Sequence, residues 1–259
     1  MAVFFIWRIN LDYKKIDMQI MHVTNNIIKN KYDRHNNVPN FEEIMTRRDY
    51  LIYRIAAIQY NHHLLNTNAN HFSQLYEKIE PGDTKRFHLI YTSVNQTSFC
   101  FDDLIFNLAS MLDYLGNYIG ILIYGAKCQT IKWDGLVNKV NNDKNKNELH
   151  QAVIIENCDW FNKIIEYRGH VIHRKALKCE VEGFDLNERF AVREIPKLKL
   201  IVNPGLKKYF SIFRKEINRD IDYCSNKIVD RTLDGISKLL EVMQKYEFNQ
   251  KYHWHNNEK

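Results

Sequence analysis

The sequence predicts a mainly α-helical chain, an antiparallel helical bundle with one small β-hairpin inserted before the last long helix. Three observations carry that prediction. Apolar residues recur at steps of three and four over several long stretches. Proline and glycine, four and nine among 259 residues, are too few for a loop-rich or collagen-like chain. Only residues 177–203 break into short alternating runs. A hydrophobic content of 45% with 13% aromatic residues also excludes a disordered polymer.

The elements follow in order. Ile6, Ile9, Tyr13, Ile16, Ile20, Val23 and Ile27 trace the seam of an amphipathic helix within residues 1–35, closed by an Asn-rich turn and Pro39. A second helix is expected over 41–62, with Ile44, Arg48, Leu51, Ile55 and Ile58 on one face. Pro81-Gly82-Asp83 marks a turn. A third helix over 98–124 carries Phe101, Ile105, Leu108, Leu112, Leu115, Ile119 and Leu122, with Ser98 as its cap and Asp102 and Asp103 near the positive end of its dipole. Residues 141–147 read as a loop. A fourth helix over 148–175 has the stripe Ile154, Cys158, Phe161, Ile165, Arg168 and Ile172. Short strands are expected at 178–181, 190–192 and 198–202. Pro204-Gly205 then opens a last helix to about 246, through Phe210, Phe213, Ile217, Cys224, Ile228, Leu239 and Val242. Residues 247–259 read as a flexible tail. With no repeat and no linker rich in Gly, Ser or Pro, one domain over 1–259 is expected.

The 37 basic and 31 acidic residues leave a net charge of +6. Seven basic residues (Lys197, Lys199, Lys207, Lys208, Arg214, Lys215, Arg219) against Glu216 concentrate it in residues 197–219, where the interleaved Tyr209, Phe210 and Phe213 are core residues first by their helical spacing and could also stack bases. Five widely spaced cysteines without a C-x-x-C pair signal neither a disulfide framework nor a zinc ribbon, so a reducing, cytoplasmic setting is expected. The apolar opening lacks the basic leader and small-residue cleavage site of a secretory signal. The apolar stretch 104–124 contains Asp113, and an Asp near a bilayer centre costs about 2.5–3.5 kcal/mol, so no membrane span is expected.

Chemistry concentrates in Glu166-Tyr167-Arg168-Gly169-His170-Val171-Ile172-His173-Arg174. On the predicted stripe Arg168 faces the core, which requires an acceptor for its guanidinium. On the third helix Ala109, Asp113, Gly116 and Gly120 form a face of small residues suited to close helix approach, and Asp113 is its only acid. An Asp113–Arg168 pair across the third and fourth helices follows as an expectation. Arg168, four intervening residues and His173 match an R-x4-6-H signature, and in this the chain resembles HEPN domains, all-α bundles that include many metal-independent endoribonucleases and toxin or defence proteins. In catalytic members the residue after the arginine is often Asn, Asp or His; here it is Gly169.

The resemblance implies that Arg168 and His173 are catalytic, with Asp113, His170, Glu166 and Asn117 supporting and Arg174, Lys175, Lys207 and Lys208 contacting RNA. It further implies a homodimer with a composite site, possession of a cognate antitoxin protein as a partner, and no cofactor. Five residues at about 100° each place Arg168 and His173 roughly 140° apart on a regular helix, so either the helix loosens at Gly169 or two chains combine. Glu166, His170 and His173 also share metal-ligand spacing, but no matching Glu-x-x-His or H-E-x-x-H exists, and no metal is expected. Phosphate-binding glycine motifs and a G-x-S-x-G elbow are absent too. The alternative is a non-catalytic RNA-binding or interaction protein of the same fold, with a structural Arg168–Asp113 pair.

Overall fold

The computed structural model of the chain describes residues 2–32, 41–80, 82–125, 128, 130–173, 178–182, 199–210 and 218–245. It is mainly helical: α1 (Ala2–Tyr32), α2 (Phe41–Lys78), α3 (Thr84–Tyr124), α4 (Trp133–Asn142), α5 (Glu148–Glu156), a π turn (Asn157–Phe161), α6 (Asn162–His173) and α7 (Ile221–Lys245). Strands β1 (Glu180–Val181) and β2 (Leu200–Ile201) pair antiparallel, with Glu180 opposite Ile201. No helix among the described residues is long and apolar enough to cross a membrane. The chain divides into two compact units, Met1–Gln59 with Asn107–Asn162 and Arg231–Lys259, and Tyr60–Phe106 with Lys163–Asp230.

In the first unit, the predicted seams of α1 and α3 are the buried ones. Tyr13, Ile16, Ile20, Val23 and Ile27 are buried, as are Leu108, Leu112, Leu115, Ile119 and Leu122. The Thr24 hydroxyl meets the Tyr118 hydroxyl at 2.7 Å, giving two buried polar groups a mutual partner. Gly125, at φ +76°, ends α3 in the left-handed conformation and donates its N–H to Ile121 O.

The small face of α3 receives the chain that enters α4. A Cβ on Gly116 would stand 2.9 Å from both Cα and N of Trp133, and one on Gly120 would stand 2.5 Å from Ile131 Cγ2. α4 was not expected from the sequence, being short; it buries Trp133, Leu136, Val137 and Val140.

In the second unit α2 continues to Lys78, well past the expected end at 62, because its His- and Asn-rich middle has partners. His62 is buried beside Asn66, the Ser225 hydroxyl donates to Asn66 Oδ1 at 3.2 Å, and Asn68 donates to Cys100 Sγ at 3.3 Å. α3 begins at Thr84 rather than 98: Asp83 Oδ1 accepts the Lys85 N–H at 2.9 Å and serves as the cap. Ser98 is therefore inside the helix. Its hydroxyl donates to Val94 O at 2.6 Å and accepts the Cys179 N–H at 2.9 Å, tying the approach to β1 against α3.

The expected fourth helix is interrupted by the π turn, and its buried face differs by one residue from the predicted stripe. Leu149, Val153, Glu156, Trp160, Phe161, Ile164 and Tyr167 are buried, while Cys158 and Ile172 are exposed. The buried Glu156 carboxylate is held by Arg231 at 2.9 Å and Lys238 at 3.9 Å, and the Trp160 indole donates to Thr232 Oγ1 at 2.8 Å. The last helix starts at Ile221, with Pro204–Lys208 a separate 3-10 turn. Met243 rather than Val242 is buried near its end. The side chains of Ile6 and Ile9, the expected strand at 190–192, Phe213, Ile217 and the tail 247–259 lie outside the described residues.

Replacing Gly116 with Ala drives a methyl into the Trp133 backbone, which has no rotamer with which to yield, and should cost about 1–3 kcal/mol in denaturant unfolding. Burial holds the His62 imidazole neutral, with a pKa lowered to about 4. The unfolded chain protonates near pH 6.5 and the folded chain does not, so stability falls as pH drops from about 6.5 to 4, by up to about 3 kcal/mol. Urea melts across that range should show a steeper acid loss for the wild type than for His62→Gln.

Candidate functional site

Tyr167 anchors the carboxyl-terminal half of α6. Its fully buried ring packs edge-on to Phe101 at 6.3 Å and to Tyr209 at 5.4 Å, and tilted against Phe210 at 5.7 Å. Edge-on and tilted geometries suit the ring quadrupole. α3, α6 and the residues following the 3-10 turn each contribute to this aromatic layer. Burial pushes the Tyr167 hydroxyl far above its ordinary range, and Asp102 beside it adds to the shift. Asp102 is displaced in turn: burial, then the charge of Asp103, raises its carboxyl to about 6. The Cys179 thiol is pushed up to about 12, chiefly by burial.

The residues singled out in the sequence fall around this layer unevenly. Arg168 follows Tyr167 in α6 and is half-buried, with its Nε buried. His170 is half-buried with its ring 5.1 Å from that of Tyr209, and its Nδ1 is buried without a hydrogen-bond partner among the described residues. Glu166 is exposed beside Lys163 at 3.3 Å. Lys207 and Lys208 immediately precede Tyr209, whose ring meets those of both Tyr167 and His170. α6 ends at His173, whose side chain lies outside the described residues, as do Arg174 and Lys175.

Asp113 and Asn117 belong to the first unit. Asp113 Oδ1 accepts the Trp133 N–H at 3.3 Å, satisfying one of the orphan donors at the start of α4, and Asn117 is buried on α3. Within the basic segment, Lys199 pairs with Asp220 at 3.1 Å and Arg219 with Glu180 at 3.5 Å. The local +6 is therefore reduced by acids that a count over 197–219 leaves out. Lys197, Arg214 and Lys215 lie outside the described residues.

α6 runs unbroken through Gly169, whose backbone is not among the positive-φ glycines, and a Cβ there would meet nothing within 4 Å. The helix does not loosen between Arg168 and His173. Asp102 is the residue that sequence reasoning missed as chemistry, having been assigned to a helix dipole. The only signal of its setting was its place four residues after Ser98 on α3. No group of three or more His, Cys, Asp and Glu side chains among the described residues is arranged to hold a metal ion.

Because Gly169 has open space and a helical backbone, Gly169→Ala should be neutral or stabilising by up to about 1 kcal/mol, the opposite sign from Gly116→Ala, as thermal unfolding would show. Comparisons with protein-family models, with curated proteins and with solved structures give no match for this chain.

Proposed function

We propose that the chain is a HEPN-like RNA-acting protein of toxin or defence type that cleaves RNA without a metal, with Arg168 and His173 as the reacting pair. The observation that carries this reading is the placement of Arg168. It is half-buried rather than fully buried, next to the anchor Tyr167 on a helix that continues to His173. A guanidinium so placed presents a planar fork of donors to phosphoryl oxygens.

In the proposed reaction the ribose 2′-hydroxyl attacks the adjacent phosphorus and the 5′-oxygen leaves, giving a 2′,3′-cyclic phosphate and a 5′-hydroxyl. His173 moves the proton, imidazole being the side chain whose unperturbed titration falls nearest physiological pH. Arg168 stabilises charge developing on the non-bridging oxygens. On an unbroken helix the two side chains diverge by roughly 140°, so the Arg168 of one chain and the His173 of a second would complete each site in a two-fold dimer. Lys207 and Lys208, next in sequence to Tyr209, would bring the RNA backbone towards α6. The Asp102 carboxyl supplies a second group that titrates near neutral pH in the same unit.

A cleavage assay in EDTA tests this with three folded proteins: wild type, Arg168→Ala and His173→Ala. Each substitution should lower the rate by about 10²-fold or more, and a mixture of the two variants should recover activity through hybrid sites. Equal activity in all three proteins overturns the assignment. Unfolding of Arg168→Ala with no effect of His173→Ala favours instead a non-catalytic protein in which Arg168 only holds the fold.

A further inference from the structure

Cys128 and Lys139 form a thiol–amine pair that the proposed RNA chemistry does not use. Lys139 Nζ donates to Cys128 Sγ at 2.9 Å, and the thiol is only 3% exposed. The geometry is imposed from several sides. Lys139 lies in the last turn of α4, and its Nζ stands 4.4 Å from the centre of the Tyr124 ring at the end of α3. That ring is fixed by its hydroxyl, which donates to Asp143 Oδ2 at 3.2 Å and meets His150 Nε2 at 3.1 Å. His150 is in turn locked by a capping box with Asn147, its N–H donating to Asn147 Oδ1 at 3.1 Å. Lys139, itself exposed, thus has an aromatic face and a sulfur as its neighbours. The other described cysteines have different surroundings: Cys100 faces the Asn68 amide, the Cys179 backbone N–H is bonded to Ser98, the Cys224 thiol donates to Asn218 O at 3.9 Å, and Cys158 is exposed.

We propose that Cys128 and Lys139 are a redox modification site at which peroxide joins the two side chains through a single oxygen, as an N–O–S bridge. A first hydrogen peroxide oxidises the thiol to the sulfenic acid and is reduced to water. A second peroxide then takes two electrons from the neutral amine and the sulfenic acid together. The Nζ–O bond forms, the Sγ–O bond is kept, one proton leaves Nζ and one leaves the sulfenic hydroxyl, and two waters are released. Overall one amine, one thiol and two peroxides give the bridge and three waters. An amine already within hydrogen-bond distance of the sulfur captures the sulfenic acid before further oxidation; without it, the sulfinic acid is the ordinary next product. The bridge ties the last turn of α4 to the stretch that follows α3.

The test uses the full chain carrying Cys158→Ser, which removes the exposed competing thiol. After hydrogen peroxide treatment, intact mass should rise by about 14 Da, one oxygen gained and two hydrogens lost. Digestion should yield one linked peptide containing Cys128 and Lys139, and dithiothreitol should reverse both. Neither Lys139→Arg nor Cys128→Ser should gain that mass, and Lys139→Arg should oxidise at Cys128 to the sulfinic acid instead. The proposal is overturned if Cys128 in the Lys139-containing protein gains only one or two oxygens with no linked peptide, if it stays unmodified, or if the Lys139→Arg chain gains the same 14 Da.

Discussion

The rotation of the segment from Glu148 to His173 is set by its largest side chains. Burying the Trp160 indole and the Tyr167 ring removes more apolar surface from water than burying Cys158 and Ile165 in their place. One residue of rotation then decides which face carries chemistry. With Tyr167 inside, Arg168 is half-buried and Ile172 is exposed, whereas the opposite phase would sink a guanidinium into the core. The π turn at Asn157–Phe161 belongs to the same arrangement, because the extra residue lets Trp160 and Phe161 both be buried in succession. There the Trp133 indole donates to Asn157 Oδ1 at 2.8 Å while its ring packs edge-on against Phe161 at 5.1 Å.

Much of the helical layout was legible because its signal is local. The α3 stripe from Phe101 to Leu122 repeats without a polar interruption, and every one of its seven residues is buried. The α1 seam is equally plain from Tyr13 to Ile27. Hidden features depend on partners distant in sequence. Glu156 looks like a surface residue until Arg231 and Lys238 are placed against it, and His62 looks exposed until Asn66 and its neighbours on α7 are. The first half of α3 was hidden for a different reason: Ser93, Thr97 and Ser98 are buried polar residues that blur the apolar period, and Ser98 imitates a cap while serving as an acceptor for Cys179.

The candidate site was legible in part. The rings of Tyr167 and His170 both meet that of Tyr209, and Lys208 precedes Tyr209 in sequence. The small-residue face of α3 was recognised, but not its occupant, because close approach by the Trp133 backbone leaves no sequence signature on the approaching strand of chain. Asp102 was unreadable for a related reason: its raised pKa comes first from burial, which a helical wheel of α3 does not reveal, and only then from the neighbouring Asp103.

Tyr167, fully buried, rather than half-buried Arg168 is the residue that holds α6 in place. Equilibrium unfolding of Tyr167→Ala and Arg168→Ala side by side tests this most directly. The structure predicts a loss of about 3–5 kcal/mol for the tyrosine and a clearly smaller one for the arginine. An arginine substitution as damaging as the tyrosine one would contradict the account and make Arg168 part of the core.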